Sequence, residues 1–179
     1  MGSGKSTYLL QLNFSLKAAG FKPLLIKPEI DTRTTGTIAS RIGLEEPCEI
    51  WSSSTDIKVL TENFTHVLCD EAQFLNKEQI IALANLVDFS EITVYCFGLR
   101  TSYTGDLFEG SAALFALADD LIELPLIYKD GHKTIMHVRY VNGVPTFDGD
   151  PIHVGDIVED YESVSRQQYF SLKKELTLL

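Results

Sequence analysis

Two short clusters of residues in this chain are suited to chemistry. The first is at the start, MGSGKSTYLL, where Gly4, Lys5, Ser6 and Thr7 stand directly before a run of helical spacing. Glycines let backbone N–H groups turn toward an anion, and the positive end of a helix favours negative charge. A lysine can then reach the outer phosphates of a nucleotide, and a serine hydroxyl can ligate Mg²⁺. Gly2, Ser3, Gly4, Lys5, Ser6 and Thr7 are therefore the candidate phosphate-binding residues. The full pattern, GxxxxGK followed by Ser or Thr, lies between a strand and a helix. Only its last part is present, since the first glycine and the strand feeding it would precede Met1. We expect a true start upstream, because the residues from Ser3 onward keep the pattern. A trimmed fragment and a degenerate paralogue are the alternatives.

The second cluster is THVLCDEAQF, an apolar strand that ends in Asp70 and Glu71. A phosphate loop needs a carboxylate at a neighbouring strand end to hold Mg²⁺, here Asp70 acting through water. Glu71 would face the substrate and accept a proton from an attacking hydroxyl. The same pair could be an ordinary solvated strand end, but the phosphate loop elsewhere in the chain favours the chemical reading. DEAQ is also a helicase-box pattern. Helicases need two motor domains and a basic strand path, and 179 residues with a net charge of −10 provide neither.

The acidic balance argues against a nucleic-acid backbone as partner. No apolar run has the length of a membrane span and no signal peptide opens the chain, so it reads as cytoplasmic. Cys48, Cys69 and Cys96 form no CxxC pair. Cys69 and Cys96 sit inside apolar runs and read as small buried hydrophobes.

The elements that must position these clusters alternate. STYLLQLNFSLKAAG has Leu9, Leu12, Leu16 and Ala19 at helical spacing, with Gly20 as a stop. KPLLIKP reads as a buried strand and EIDTRTTGTIASRIGLEEP as a long loop. NKEQIIALANLV is a helix with Asn76 as its N-cap, and EITVYCFGLR a second buried strand. SAALFALADDLIEL reads as a helix running into a short strand. This alternation predicts an α/β fold, a parallel sheet flanked by helices, over residues 1–124. From about Pro125 the pattern changes to a small lobe, residues 125–179. It holds a hairpin turning at Asn142-Gly143 and a closing helix, ESVSRQQYFSLKKEL.

Five segments taken together, SGKST, KPEIDTR, DEAQF, FGLRTSYTGDLFEGS and the closing Y…VSRQQYF, resemble the thymidine kinases of bacteria and animal cytosol, in order and along nearly the whole chain. The resemblance implies a P-loop fold with a small lasso lobe. It implies transfer of the γ-phosphoryl of ATP to the 5′-hydroxyl of thymidine with Mg²⁺, and a homotetramer. It assigns Gly4, Lys5, Ser6 and Thr7 to the phosphate loop, Arg33 of the DTR element to the transferring phosphate, Asp70 to the metal and Glu71 to the base. Phe74 would stack by the thymine, Leu99 and Tyr103 would complete the base pocket, and Tyr161 would lie near the deoxyribose. Residues 142–154, with Ile152, His153 and Val154, would form the lasso that covers the nucleoside. Without the resemblance, Phe74, Leu99 and Tyr103 read as core packing.

One departure is plain. The family's structural zinc needs four S or N ligands, and the matching positions here are Ile127, Asp130, Ser165 and Gln168. His132, His137 and His153 form no paired ligand spacing, so no zinc is expected. The small lobe must then be held by packing, with Ile135, Val138, Tyr140, Tyr169, Phe170 and Leu172 as candidates. Besides an active thymidine kinase, two rivals follow. One is a catalytically impaired nucleotide-binding paralogue; the other is a P-loop ATPase acting on a protein or nucleic acid, which the charge disfavours.

Overall fold

Residues 3–32, 36–127, 131–150 and 159–177 are described by the structure, a computed structural model. The chain divides into two compact units, one formed by Gly4–Leu99 with Glu109–Leu121, the other chiefly by Arg100–Phe108 with Ile122–Leu179.

In chain order the first unit holds α1 (Lys5–Ala18), β1 (Pro23–Pro28), β2 (Thr37–Ala39), β3 (Glu45–Pro47), β4 (Glu49–Trp51), α2 (Ile57–Thr61), β5 (His66–Cys69), a 3-10 turn (Ala72–Phe74), α3 (Lys77–Ser90), β6 (Thr93–Cys96) and α4 (Glu109–Leu117). Its main sheet has the order β4-β1-β5-β6, all parallel. Every residue of β1 is buried, as expected of a parallel strand covered on both faces. Alternate residues feed opposite layers. Leu24, Ile26, Val67 and Cys69 pack with Leu83 and Leu86 of α3 and Ala113 of α4. Leu25 and Leu68 pack with Leu9 and Leu10 of α1.

Local signals set the helix ends. Gly20, at φ 87°, takes the left-handed position after α1. Its N–H reaches the Lys17 carbonyl at 3.1 Å and the Phe21 N–H reaches that of Leu16 at 3.0 Å, a Schellman stop that only the glycine makes cheap. Asn76 caps α3 through a reciprocal capping box with Gln79.

Four sequence expectations are corrected. The strand read as buried in EITVYCFGLR, β6, has Thr93 exposed and Val94, Tyr95 and Cys96 only half-buried, because among the described residues it has a ladder partner on one side only. The segment read as a long loop, residues 29–47, contains the β2–β3 hairpin. Its strands are three residues each, too short for alternation to show, yet Ile38 is buried in the core beside α1. The stretch after α4 forms no strand through residue 126. Leu121 and Ile122 are 60% and 73% exposed there, and a strand needs a ladder partner to satisfy its backbone. The closing helix is shorter than read: 159–164 is a strand and the helix begins at Arg166.

The second unit is a three-stranded antiparallel sheet of β7 (Met136–Val141), β8 (Val144–Thr146) and β9 (Glu159–Val164), followed by α5 (Arg166–Thr177). Asn142 and Gly143, at φ 51° and 79°, make the expected two-residue turn, whose positive dihedrals match the twist of the strands it joins. Met136, Val138, Phe147, Val164 and Tyr169 form its core, with Ile135, Tyr140 and Leu172 against them. Phe170 is 56% exposed and touches this core through an edge contact with Tyr169. Among the described residues no helix is long and apolar enough to cross a membrane.

One feature of β1 has a large energetic consequence. Lys27 is 1% exposed, and its ammonium lies 3.5 Å from the carboxylate of Asp31, itself 8% exposed. Removing one member of such a pair strands the other charge away from water. Lys27→Met is expected to destabilise the protein by about 3–5 kcal/mol in urea unfolding. The Lys27→Met/Asp31→Asn double variant should recover part of that loss. A single variant within experimental error of the parent would show that the pair is not holding this strand end.

Candidate functional site

In the first unit the site begins with the turn into α1. Gly4 is the N-cap, in the left-handed region at φ 76°, and its side offers no capping atom. The first helical bond runs from the Tyr8 N–H to the Gly4 carbonyl at 2.9 Å. The N–H groups of residues 5–7 therefore precede the helical ladder and point along the axis, the arrangement that receives an anion. Ser6, on the first turn, donates from Oγ to Oδ2 of Asp70 at 3.0 Å. This bond joins the phosphate-loop candidate to the acidic strand end, 64 residues apart in sequence.

At the end of β5 the two carboxylates take different partners. The Asp70 backbone stays in the ladder, its N–H donating to the Ile26 carbonyl at 3.0 Å. Its side chain is 6% exposed, and Oδ1 accepts the Glu71 N–H at 3.0 Å. Burial, then the neighbouring Glu71 charge, pushes the Asp70 carboxyl up to about 6, against the hydrogen bond from Ser6. Glu71 leaves the strand direction altogether, at φ 52° and ψ 36°. Its Oε2 accepts from Nε2 of Gln73 at 2.6 Å, and the Oε1 of Gln73 accepts the Leu99 N–H at 3.0 Å. Phe74 closes the 3-10 turn, half-buried, and Leu99 is likewise half-buried beyond β6.

A buried carboxylate held near a hydroxyl, with its proton affinity raised by lost solvation, is a site that gains from a hard cation. Mg²⁺ commonly uses one or two carboxylates and completes its shell with water and phosphate oxygens. Ser6 and Asp70 fit that donor set. Among the described residues no three His, Cys, Asp or Glu side chains are grouped to hold a metal ion, so any site here would draw its remaining ligands from solvent and nucleotide.

The second unit centres on Tyr103, which is 2% exposed. Its hydroxyl donates to the Asp150 carbonyl at 3.0 Å and accepts from Nη1 of Arg139 at 3.2 Å. The Arg139 guanidinium also lies over the Tyr103 ring, 5.2 Å from its centre. Tyr169 donates to the Tyr103 carbonyl at 2.9 Å, and the Tyr161 ring meets Tyr103 edge-on at 6.4 Å. Gly149, at φ 127°, has no Cβ where one would fall 2.8 Å from the Tyr103 hydroxyl. Tyr103 thus anchors the backbone at residues 148–150, within the segment 142–154 expected to form the lasso.

A thymidine kinase family model matches residues 1–169. The chain belongs to the thymidine kinase family. It is 41% identical to a thymidine kinase of Legionella pneumophila strain Philadelphia 1, over 99% of this chain and 88% of that protein. It is 41% identical to one from Photobacterium profundum, over 94% and 92%, and 40% identical to one from Xanthomonas axonopodis pv. citri, over 94% and 85%.

Within this thymidine kinase fold, Gly4, Lys5, Ser6, Thr7, Asp70, Glu71, Phe74 and Leu99 all fall in the first unit, and Tyr103 and Tyr161 in the second. The helix start and the Asp70-Glu71 strand end are brought into direct contact through Ser6. Gly2, Arg33, Ile152, His153 and Val154 lie outside the described residues. Of the positions where zinc ligands would stand, Ile127 bridges to Lys133 and the Ser165 hydroxyl accepts the Gln168 N–H at 3.2 Å at the start of α5. Asp130 lies outside the described residues. Sequence reasoning gave no role to Gln73, Lys27 or Arg139. A lysine inside the buried run PLLIKP was a readable signal for Lys27, but nothing in spacing marked the other two.

The state of Asp70 yields a pH prediction. Its carboxyl titrates higher in the folded protein than in the unfolded chain, so the unfolded chain loses its proton first as pH rises. The stability this group lends at low pH is lost between about pH 4 and pH 6. With a chelator present, Asp70→Asn should therefore raise stability at pH 7.5 by about 2–3 kcal/mol while leaving it little changed at pH 4. Equal urea midpoints at pH 7.5 would contradict the buried, disfavoured carboxylate.

Proposed function

We infer that this protein is an ATP-dependent thymidine kinase. The observation that carries the reading is the Ser6–Asp70 hydrogen bond, which seats a helix N-terminus bearing Lys5 against a strand end bearing Glu71. Phosphoryl transfer asks a protein for positioning and charge neutralisation more than for covalent chemistry. The backbone N–H groups at the start of α1 and the Lys5 ammonium would hold the triphosphate. Ser6 and Asp70 would hold Mg²⁺, which when bound neutralises charge on the β and γ oxygens.

In the reaction the thymidine 5′-oxygen forms a new bond to the γ-phosphorus. The bond from that phosphorus to the β–γ bridging oxygen breaks, and ADP leaves with that oxygen. The hydroxyl proton passes to the Glu71 carboxylate. Arg33 is proposed to meet the transferring phosphoryl group. Phe74, Leu99, Tyr103, Tyr161 and residues 152–154 are proposed for the nucleoside. The structure supports a refinement for Tyr103, whose hydroxyl is engaged with the backbone at Asp150: it would act on thymidine by setting the lasso. Mg²⁺ and a homotetramer rest on the family resemblance, and a cytoplasmic location is proposed from the sequence reading. The impaired-paralogue reading gains no support from the relatives, which are named thymidine kinases.

The assay is Mg·ATP-dependent phosphorylation of thymidine. Glu71→Gln should keep ATP binding and lower turnover by roughly 10²–10⁴-fold, the usual worth of a general base. Lys5→Ala should weaken triphosphate binding and transfer together. Turnover at the parental rate in Glu71→Gln would remove Glu71 as the base. A folded parent that binds nucleotide and phosphorylates nothing would favour the impaired paralogue.

A further inference from the structure

We propose that Gln73 is a positioning residue for the transfer reaction, the strut that fixes the Glu71 carboxylate relative to the phosphate loop. The proposal rests on the reading of Glu71 as the base.

A glutamine side chain that is 1% exposed has lost its water on every side and must recover its hydrogen bonds from protein. Gln73 does so with both ends of its amide. Nε2 donates to Oε2 of Glu71 at 2.6 Å, and Oε1 accepts the Leu99 N–H at 3.0 Å. The amide therefore spans from the turn after β5 to the backbone after β6, and its orientation is fixed by chemistry, because only the nitrogen can donate and only the oxygen can accept.

Shape on both sides supports the same placement. A Cβ on Gly98 would lie 2.8 Å from Oε1 of Gln73 and 3.1 Å from its backbone nitrogen. The glycine leaves the space the amide fills. On the other side a Cβ on Gly110 would lie 2.5 Å from the Leu75 carbonyl oxygen, 2.7 Å from that of Ala72 and 3.0 Å from that of Gln73. The turn carrying Gln73 is thus pressed between two positions where any side chain would displace it. Ser111, 5% exposed, completes the brace by donating to the Leu99 carbonyl at 2.6 Å. Leu99 is held at its N–H by Gln73 and at its carbonyl by Ser111.

The need for such a brace follows from Glu71 itself. Its backbone is left-handed, and its side chain has three torsions, χ1 to χ3, to be set. A carboxylate that must meet a hydroxyl proton within hydrogen-bond reach cannot wander. The bond from Gln73 pins one of its oxygens and so sets the plane of the carboxylate.

The test is a double-mutant cycle in steady-state thymidine kinase kinetics. Gln73→Met keeps the length and bulk of the side chain and removes both hydrogen bonds. It should lower kcat by on the order of 10²-fold, the cost of a small misplacement of a reacting group, with the KM for ATP within about twofold of the parent. In a Glu71→Gln background the same change should lower kcat by less than about twofold, because residues that act as one unit are not additive. Gly98→Ala, which keeps Gln73 but crowds its Oε1, should behave in the same way and covers the case in which Gln73→Met does not fold. An equal loss from Gln73→Met in both backgrounds would overturn the proposal in favour of a general structural role, as would a parental kcat in the single variant. Parental turnover in Glu71→Gln alone would instead remove the base on which the proposal rests.

Discussion

The site depends on one constraint: the chain must leave β5 between two adjacent carboxylates without unravelling the sheet. Asp70 still donates to the Ile26 carbonyl and Ala72 already donates to that of Phe97, so the ladder is kept on either side of Glu71. The residue between them absorbs the change of direction in a left-handed conformation that costs a non-glycine residue about 1–3 kcal/mol. A glycine would make the turn at less cost, but it carries no carboxylate. The strain persists because the neighbouring structure over-determines it: the 3-10 turn, the Gln73 amide, and α4 packed at Gly110 leave that segment one position.

Charges kept from water are the second theme. Lys27 and Asp31 are buried as a pair at the end of β1, and Asp70 is buried at the end of β5 with a hydroxyl for company. Parallel strands put their carboxyl ends on one edge of the sheet, and that edge is where α/β folds collect chemistry. An apolar replacement of such groups would often stabilise a fold. Lys27 and Asp31 compensate each other, whereas the Asp70 carboxylate is left with hydrogen bonds from Ser6 and the Glu71 N–H.

The small unit solves a different problem. It has a modest core, and none of the four positions compared with a zinc set carries a Cys or His. Order at residues 148–150 comes from Tyr103, whose hydroxyl is shared between Arg139 and the backbone at Asp150 and whose carbonyl is held by Tyr169. A tyrosine combines a large apolar body with one polar tip, so a single side chain can both fill the core and hang a loop.

Much of this was legible in the sequence, for reasons of short range. The buried strands PLLIKP and HVLC, the Asn76 cap, the Gly20 stop and the Asn142-Gly143 turn are local events, each decided by a few adjacent residues, whereas TVYC was readable as a strand but not as a part-buried one. The residues Gly4 to Thr7 before α1 and the adjacent Asp70-Glu71 pair were likewise readable as candidates, from residue type and order alone. The β2–β3 hairpin was not legible, because three-residue strands carry no period, and the stretch after α4 was misread because a strand exists only where a partner lies beside it. Tertiary structure alone decided that Ser6 meets Asp70, that Gln73 ties Glu71 to Leu99, and that Lys27 is buried against Asp31. The Ser6–Asp70 and Gln73–Leu99 bonds join residues distant in the chain. The burial of all these groups depends on which strands lie side by side, and that is a property of the assembled sheet.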